Sequence, residues 1–193
     1  MPEKEIETFC PSNRQEWRQW LQENHQSKQS VWLIYYKKKT NIPSVTWSEV
    51  VDEALCFGWI DSTAKPIDEE RYMQFITRRK PKSVWSKINK DKVQRFIDEG
   101  LMMPAGYASI DIAKQNGYWS ILDEVEALII PPDLEKGFAA QPGSKEAFLS
   151  LSKSAQKALL YGLVLAKQAA TREKRIGEVV ARVVETIAKK TIP

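Results

Sequence analysis

The sequence predicts an α+β protein: a small antiparallel sheet of about three strands packed by helices, followed by a helical C-terminal region. Three observations carry this. Ser30 to Lys38 holds Val31, Trp32, Leu33, Ile34, Tyr35 and Tyr36, a β-branched and aromatic run of strand length. Two further stretches, Trp59 to Lys65 and Arg71 to Arg79, flank the turn-forming segment Pro66 to Glu70. From Asp133 onward the periodicity is helical, ending with Ile176, Val179, Val180, Val183, Val184 and Ile187 at i, i+3, i+4, i+7, i+8, i+11.

Each element has a local signal. Ser12-Asn13-Arg14-Gln15 reads as a capping box, so a helix is expected from there to about Asn24, burying Trp17, Trp20 and Leu21. The Ser30–Lys38 strand is apolar on both faces, which predicts a central strand covered on both sides. Thr46-Trp47-Ser48-Glu49 is a second capping box. It opens a helix to Phe57 whose buried face is Val50, Val51, Ala54 and Leu55. Gly58 supplies the left-handed residue that ends it. Alternation puts Trp59, Asp61 and Thr63 on one face of the second strand. In the third it opposes Met73, Phe75 and Thr77 to Tyr72, Gln74, Ile76 and Arg78.

After the break at Lys80-Pro81-Lys82, a helix from about Ser86 to Glu99 uses Ile88, Val93, Phe96 and Ile97 as apolar positions and stops at Gly100. Pro104 starts another, ending at Asn116 and Gly117. Residues 118–131 carry no clear period and read as a linker or irregular packing segment. Short helices Asp133–Ala140, Lys145–Leu151 and Ala155–Lys167 follow. Thr171 is the expected cap of the last helix, whose solvent face carries Lys174, Arg175, Glu178, Arg182 and Glu185. The expected organisation is an α+β region over residues 1–131 and a helical region over 132–193, packed together as one compact unit.

Composition narrows the function. The chain has 193 residues, 42% hydrophobic and 28% charged, with a net charge of +4, the values of an ordinary soluble protein. Its N-terminus lacks the apolar stretch of a signal peptide, and no run reaches membrane-spanning length. Cys10 and Cys56 read as two free thiols in a reducing cytosol, so a cytoplasmic location is expected. With one histidine, His25, and two distant cysteines, a zinc site is excluded and no metal or other cofactor is expected. A Ser-His-Asp or Cys-His mechanism would have to use His25, and nothing around it suggests one. There is no Gly-rich phosphate loop.

The charge is uneven. Residues 71–95 hold nine basic side chains and one acidic one, which suits an anionic partner. The candidate ligand-binding set is Lys37, Asp61, Arg78, Arg79, Trp85, Ser86, Lys87 and Asn89. Arginine offers a planar donor fork for carboxylate or phosphate, and Trp85 a stacking face. Ser86 and Lys87 start a helix whose free N–H groups favour anions. Asp61 orients an arginine, binds a ligand cation, or pairs structurally with Arg78 or Arg79. Three functions fit: a pocket for a small anion, a nucleic-acid surface built on residues 71–95, or an enzyme with Asp61 as acid/base. The residues favour binding over catalysis.

A resemblance joins these residues. Glu49 with Glu53-Ala54-Leu55-Cys56-Phe57-Gly58-Trp59-Ile60-Asp61-Ser62 resembles the hallmark of the YdeI/OmpD-associated family of bacterial proteins, also called bacteriocin-protection or OmdA-type proteins. Tyr72, Phe75-Ile76-Thr77-Arg78-Arg79, Ser83, Trp85-Ser86-Lys87 and Asn89 resemble its next block. Met103-Pro104-Ala105-Gly106 and Thr171-Arg172-Glu173-Lys174-Arg175-Ile176 resemble later ones. The similarity runs from about Trp17 into the final helix. Ile76-Thr77-Arg78 lacks the proline usual in relatives, and Gln168-Ala169-Ala170 replaces a proline-containing approach. The resemblance implies no established reaction. The family's names imply tolerance of bacteriocins or cationic peptides, and association with a porin.

Overall fold

The computed structural model describes residues 6–191, with side chains to Glu185. The predicted mixed fold is present, with a four-stranded sheet in place of three. Its strands are β1 (Thr8–Phe9), β2 (Ser30–Tyr36), β3 (Trp59–Pro66) and β4 (Arg71–Arg78), in the order β1-β2-β4-β3. The two-residue β1 pairs parallel to β2 and is too short to show a period; the other pairings are antiparallel. Nine α-helices are found among the described residues. Those of the first part are α1 (Arg14–Asn24), α2 (Trp47–Cys56), α3 (Lys87–Asp98) and α4 (Pro104–Gln115). The chain forms two compact units that meet in sequence at Trp119 and Ser120.

In the first unit the register Val31↔Ile76 and Leu33↔Gln74 sets Val31, Leu33, Tyr35, Gln74 and Ile76 on one buried sheet face. The second face of β2 is not covered, as both-sided apolarity had suggested. Trp32 and Ile34 are half-buried there; Trp32 packs on Phe75 at 4.9 Å, and Lys65 Nζ lies 4.2 Å from the Trp32 ring centroid. Alternation in β3 holds only to Asp61. A register shift between Asp61 and Ala64 takes Thr63 off the face that Trp59 and Asp61 share.

Helix α2 is the hub, touching α1, β3, α3 and α4. Its capping box is present: Thr46 accepts from Glu49 N, and the Glu49 carboxylate accepts from Thr46 N. The α1 cap sits one residue later than the sequence suggested. Asn13 accepts from Glu16 N, while the Ser12 amide donates to the Glu16 carboxylate. Trp17, Trp20 and Leu21 are buried as predicted, with Trp17 donating from Nε1 to Val50 O at 3.1 Å. Two acids of α2 are buried as well and were not foreseen. Glu53 accepts from Arg14 and Arg18, and Asp52 from Lys92 and Arg95, so α2 is tied to α1 and α3 through charge-assisted bonds. In α3, Val93 and Phe96 are buried, but Ile88 is 68% exposed: it falls in the first turn, off the stripe that Val93 and Phe96 share.

The second unit contains α5 (Asp123–Glu126), α6 (Pro132–Ala139), α7 (Ser144–Leu149), α8 (Lys153–Val164) and α9 (Ala169–Thr191). The segment without a period thus holds one short helix, α5, which buries Val125. Its core joins Leu134, Phe138, Phe148, Leu160, Leu163, Val179 and Val183. Gly137 lets α6 approach α9, since a Cβ there would lie 2.9 Å from Ile176 Cγ2. Thr171 lies inside the first turn of α9 rather than capping it. Arg175, expected in solvent, is half-buried and donates to Gly162 O. The Ile187 side chain lies outside the described residues.

Candidate functional site

The site grows from the turn at Gly58. Helix α2 must reverse into β3 there, and Gly58 takes φ 71°, the left-handed region that glycine enters without strain. The Arg79 amide donates to Gly58 O at 2.9 Å, fastening the end of β4 to this turn, and Trp59 pairs with Arg78 across the strands. Helix α4 closes in from the other side. A Cβ on Gly58 would lie 2.7 Å from Ala105 O, and one on Gly106 would lie 2.3 Å from Cys56 O. Between the α2–β3 turn, the end of β4, α4 and the end of α1 lies a cavity of about 280 Å³.

Its polar lining comes from His25, Gln26, Arg78, Arg79, Lys80 and Ser109, with no Asp or Glu among the lining residues. Among the described residues, six buried side-chain nitrogen or oxygen atoms have no hydrogen-bond partner. Four of them are Nε and Nη2 of Arg78 and Nε and Nη1 of Arg79. A fifth, Nε1 of Trp85, belongs to the ring on which Arg79 lies, the guanidinium carbon 3.6 Å from the centroid. The remaining Arg79 amino group donates to Val84 O at 2.6 Å. Burial pushes the Arg79 pKa down to about 10, with the negative charge of Asp61 acting against the shift, so Arg79 is a cation at neutral pH. His25 Nδ1 lies 2.8 Å from Leu21 O. A carbonyl only accepts, so Nδ1 carries the proton.

The eight sequence candidates separate here. Arg78 and Arg79 line the cavity. Trp85, 1% exposed, supports Arg79 and packs against Trp119 at 4.9 Å. Asp61 is not among the lining residues and makes no contact ion pair with either arginine; its Oδ2 accepts from Trp47 Nε1 at 2.9 Å and Gln74 Nε2 at 2.7 Å. Ser86 caps α3 by accepting from Asn89 N at 3.3 Å, which takes up one of the N–H groups an anion would have used. Lys87 pairs with Asp91. Lys37 donates to Asp68 O at the end of the sheet where Tyr36 pairs with Arg71, away from the Ser30–Thr77 end near Arg78.

The candidate set omitted His25, Gln26, Lys80 and Ser109, which line the cavity. Only the basic cluster offered a signal for Lys80. The other three sit at a helix end or on a helix face, with nothing in their neighbours to mark them.

The fold and this cavity define a small α+β unit with a cationic, acid-free pocket beside its sheet, followed in the chain by an all-helical unit. The chain belongs to the family of a domain of unknown function, DUF8412, whose model matches residues 9–109. Residues 127–185 match the family model described as bacteriocin-protection, YdeI or OmpD-associated. The expected relationship is therefore carried by the helical unit, and the Gly-Trp-Ile-Asp and Arg-Arg blocks fall in the first match. No curated protein and no solved structure matches the chain.

Proposed function

We propose that the first unit binds a small anion at Arg78 and Arg79. One observation carries this reading: Arg78 and Arg79, four of whose guanidinium nitrogens are buried without a hydrogen-bond partner, both line a cavity with no acid in its lining. Each buried unpaired N–H costs about 1–3 kcal/mol, and a bound anion offsets part of that cost while countering the two positive charges. Bacteriocin protection is the biological context that the family description at residues 127–185 supplies for this reading.

The basic segment supports a pocket better than a nucleic-acid surface. Arg71 pairs with Asp68, Lys87 with Asp91, and Lys92 and Arg95 with Asp52. Four of the nine basic side chains of this stretch are thus answered by acids. Asp61, which takes two donors on one oxygen, is poorly placed to act as an acid/base for the cavity.

The test is thermal shift and calorimetry with inorganic phosphate, sulfate and carboxylates, on the intact chain and on Arg78→Met, which keeps an apolar stem. Small anions should raise the melting temperature of the wild type, and Arg78→Met should abolish the effect while staying folded. Lys82→Ala should leave it unchanged. No response to any small anion would sink the proposal. So would tight, salt-sensitive binding of random DNA that depends on Lys82 and ignores Arg78.

A further inference from the structure

The cavity has two unlike walls, and this says more about its ligand than charge alone. Arg78, Arg79 and Lys80 succeed one another at the end of β4 and form the cationic wall. Ala105, Ala108 and Ile112 lie at i, i+3 and i+7 on α4 and form an apolar wall, continued by Phe57 and Trp59. Ile112 is 42% exposed, an apolar side chain at the cavity that the protein's own core does not cover. At about 280 Å³ the space sits at the lower edge of the roughly 300–1,000 Å³ typical of small-molecule sites.

Resting on the anion reading above, we infer that the ligand is a small amphiphilic anion: one phosphate or carboxylate head on a compact apolar body. A bare oxyanion would answer the guanidinium groups and leave the α4 wall wet. A ligand with a short hydrocarbon or aromatic body removes that wall from water as well, and gains affinity in proportion to the apolar area covered. A polyanion such as a nucleoside triphosphate fits poorly, because the space is small and the third cation, Lys80, is exposed.

The experiment measures Kd for the intact protein with inorganic phosphate, phenyl phosphate, benzoate and phenol. The wild type should bind phenyl phosphate about tenfold more tightly than phosphate, a gain that roughly 55 Å² of newly buried apolar surface produces. Ile112→Ser, a change at an exposed position, should erase that advantage, bringing the Kd of phenyl phosphate to that of phosphate. Arg78→Met should weaken both anions. Benzoate binding as well as phenyl phosphate identifies a charge-and-body pocket indifferent to the head group; benzoate failing restricts the head to phosphate. Equal affinity for phosphate and phenyl phosphate would overturn the amphiphilic ligand and leave the anion site standing. Phenol matching phenyl phosphate, or no binding by any probe, would overturn both.

Discussion

Asp61 and Arg79 show how a charge can be placed without an opposite charge in contact. Asp61 is half-buried and held by two neutral donors, Trp47 and Gln74. Arg79 lies over Trp85, its guanidinium carbon 3.6 Å from the ring centroid, and feels Asp61 through its charge rather than through a hydrogen bond. The obvious reading of an aspartate two pairs along a ladder from an arginine is a salt bridge, and the side-chain geometry chose otherwise. Gly58 is the residue whose role the sequence did announce, because a helical period stops there and an alternating one begins. Its φ of 71° and the 2.7 Å approach to Ala105 O make a β-branched substitution both strained and obstructed. Gly58→Val should cost roughly 2–3 kcal/mol in urea unfolding followed by tryptophan fluorescence. A loss below about 0.5 kcal/mol would mean that the turn and α4 adjust freely.

Helices α2 and α9 illustrate two ways of fixing an element. The Thr46–Glu49 capping box is local, so it was legible from four consecutive residues, and it holds the Glu49 carboxyl below the usual range through the Thr46 amide and hydroxyl. Helix α9 is held from outside by Arg172, which meets Asp133 of α6 through two nitrogens and also donates to Leu163 O. Arg172 depresses the Asp133 pKa below its ordinary 3.8. The folded carboxyl is therefore the stronger acid, so the pair's contribution is present above the unfolded value and fades as the pH falls through the folded one. Both side chains are partly exposed, which limits the worth of the pair to about 1 kcal/mol or less. Asp133→Asn should lower the protection of α6 and α9 amides from exchange at neutral pH, and the gap from wild type should close as the pH falls below the ordinary carboxylate value and through the depressed one. A gap that persists unchanged in acid would assign the effect to packing rather than to charge.

All 7 tryptophans precede Ser120, and the largest cluster of buried side chains, from Trp17 to Ala113 with Trp119 against it, belongs to the first unit. A chain ending at Trp119 should therefore melt cooperatively and keep the phosphate response of the full protein. A gradual, non-cooperative melt would show that the second unit is needed for the first to fold. The longer helices, the three longer strands, the cap at Thr46 and the stop at Gly58 were readable along the chain, because each rests on neighbours within a turn or an alternation of side chains. Arg78 and Arg79 were also singled out along the chain, since a run of arginines beside aromatic residues is costly to keep in a core, and both line the cavity. The cavity itself was not. His25, Gly58, Arg78, Ala105 and Ser109 come from four separate segments, gathered by burial of apolar faces, a force that is non-directional and names no partner in advance. The fate of the basic stretch was hidden for the same reason: only the packing of α2 against α3 brings Asp52 to Lys92 and Arg95, while Arg78, Arg79 and Lys80 line the cavity.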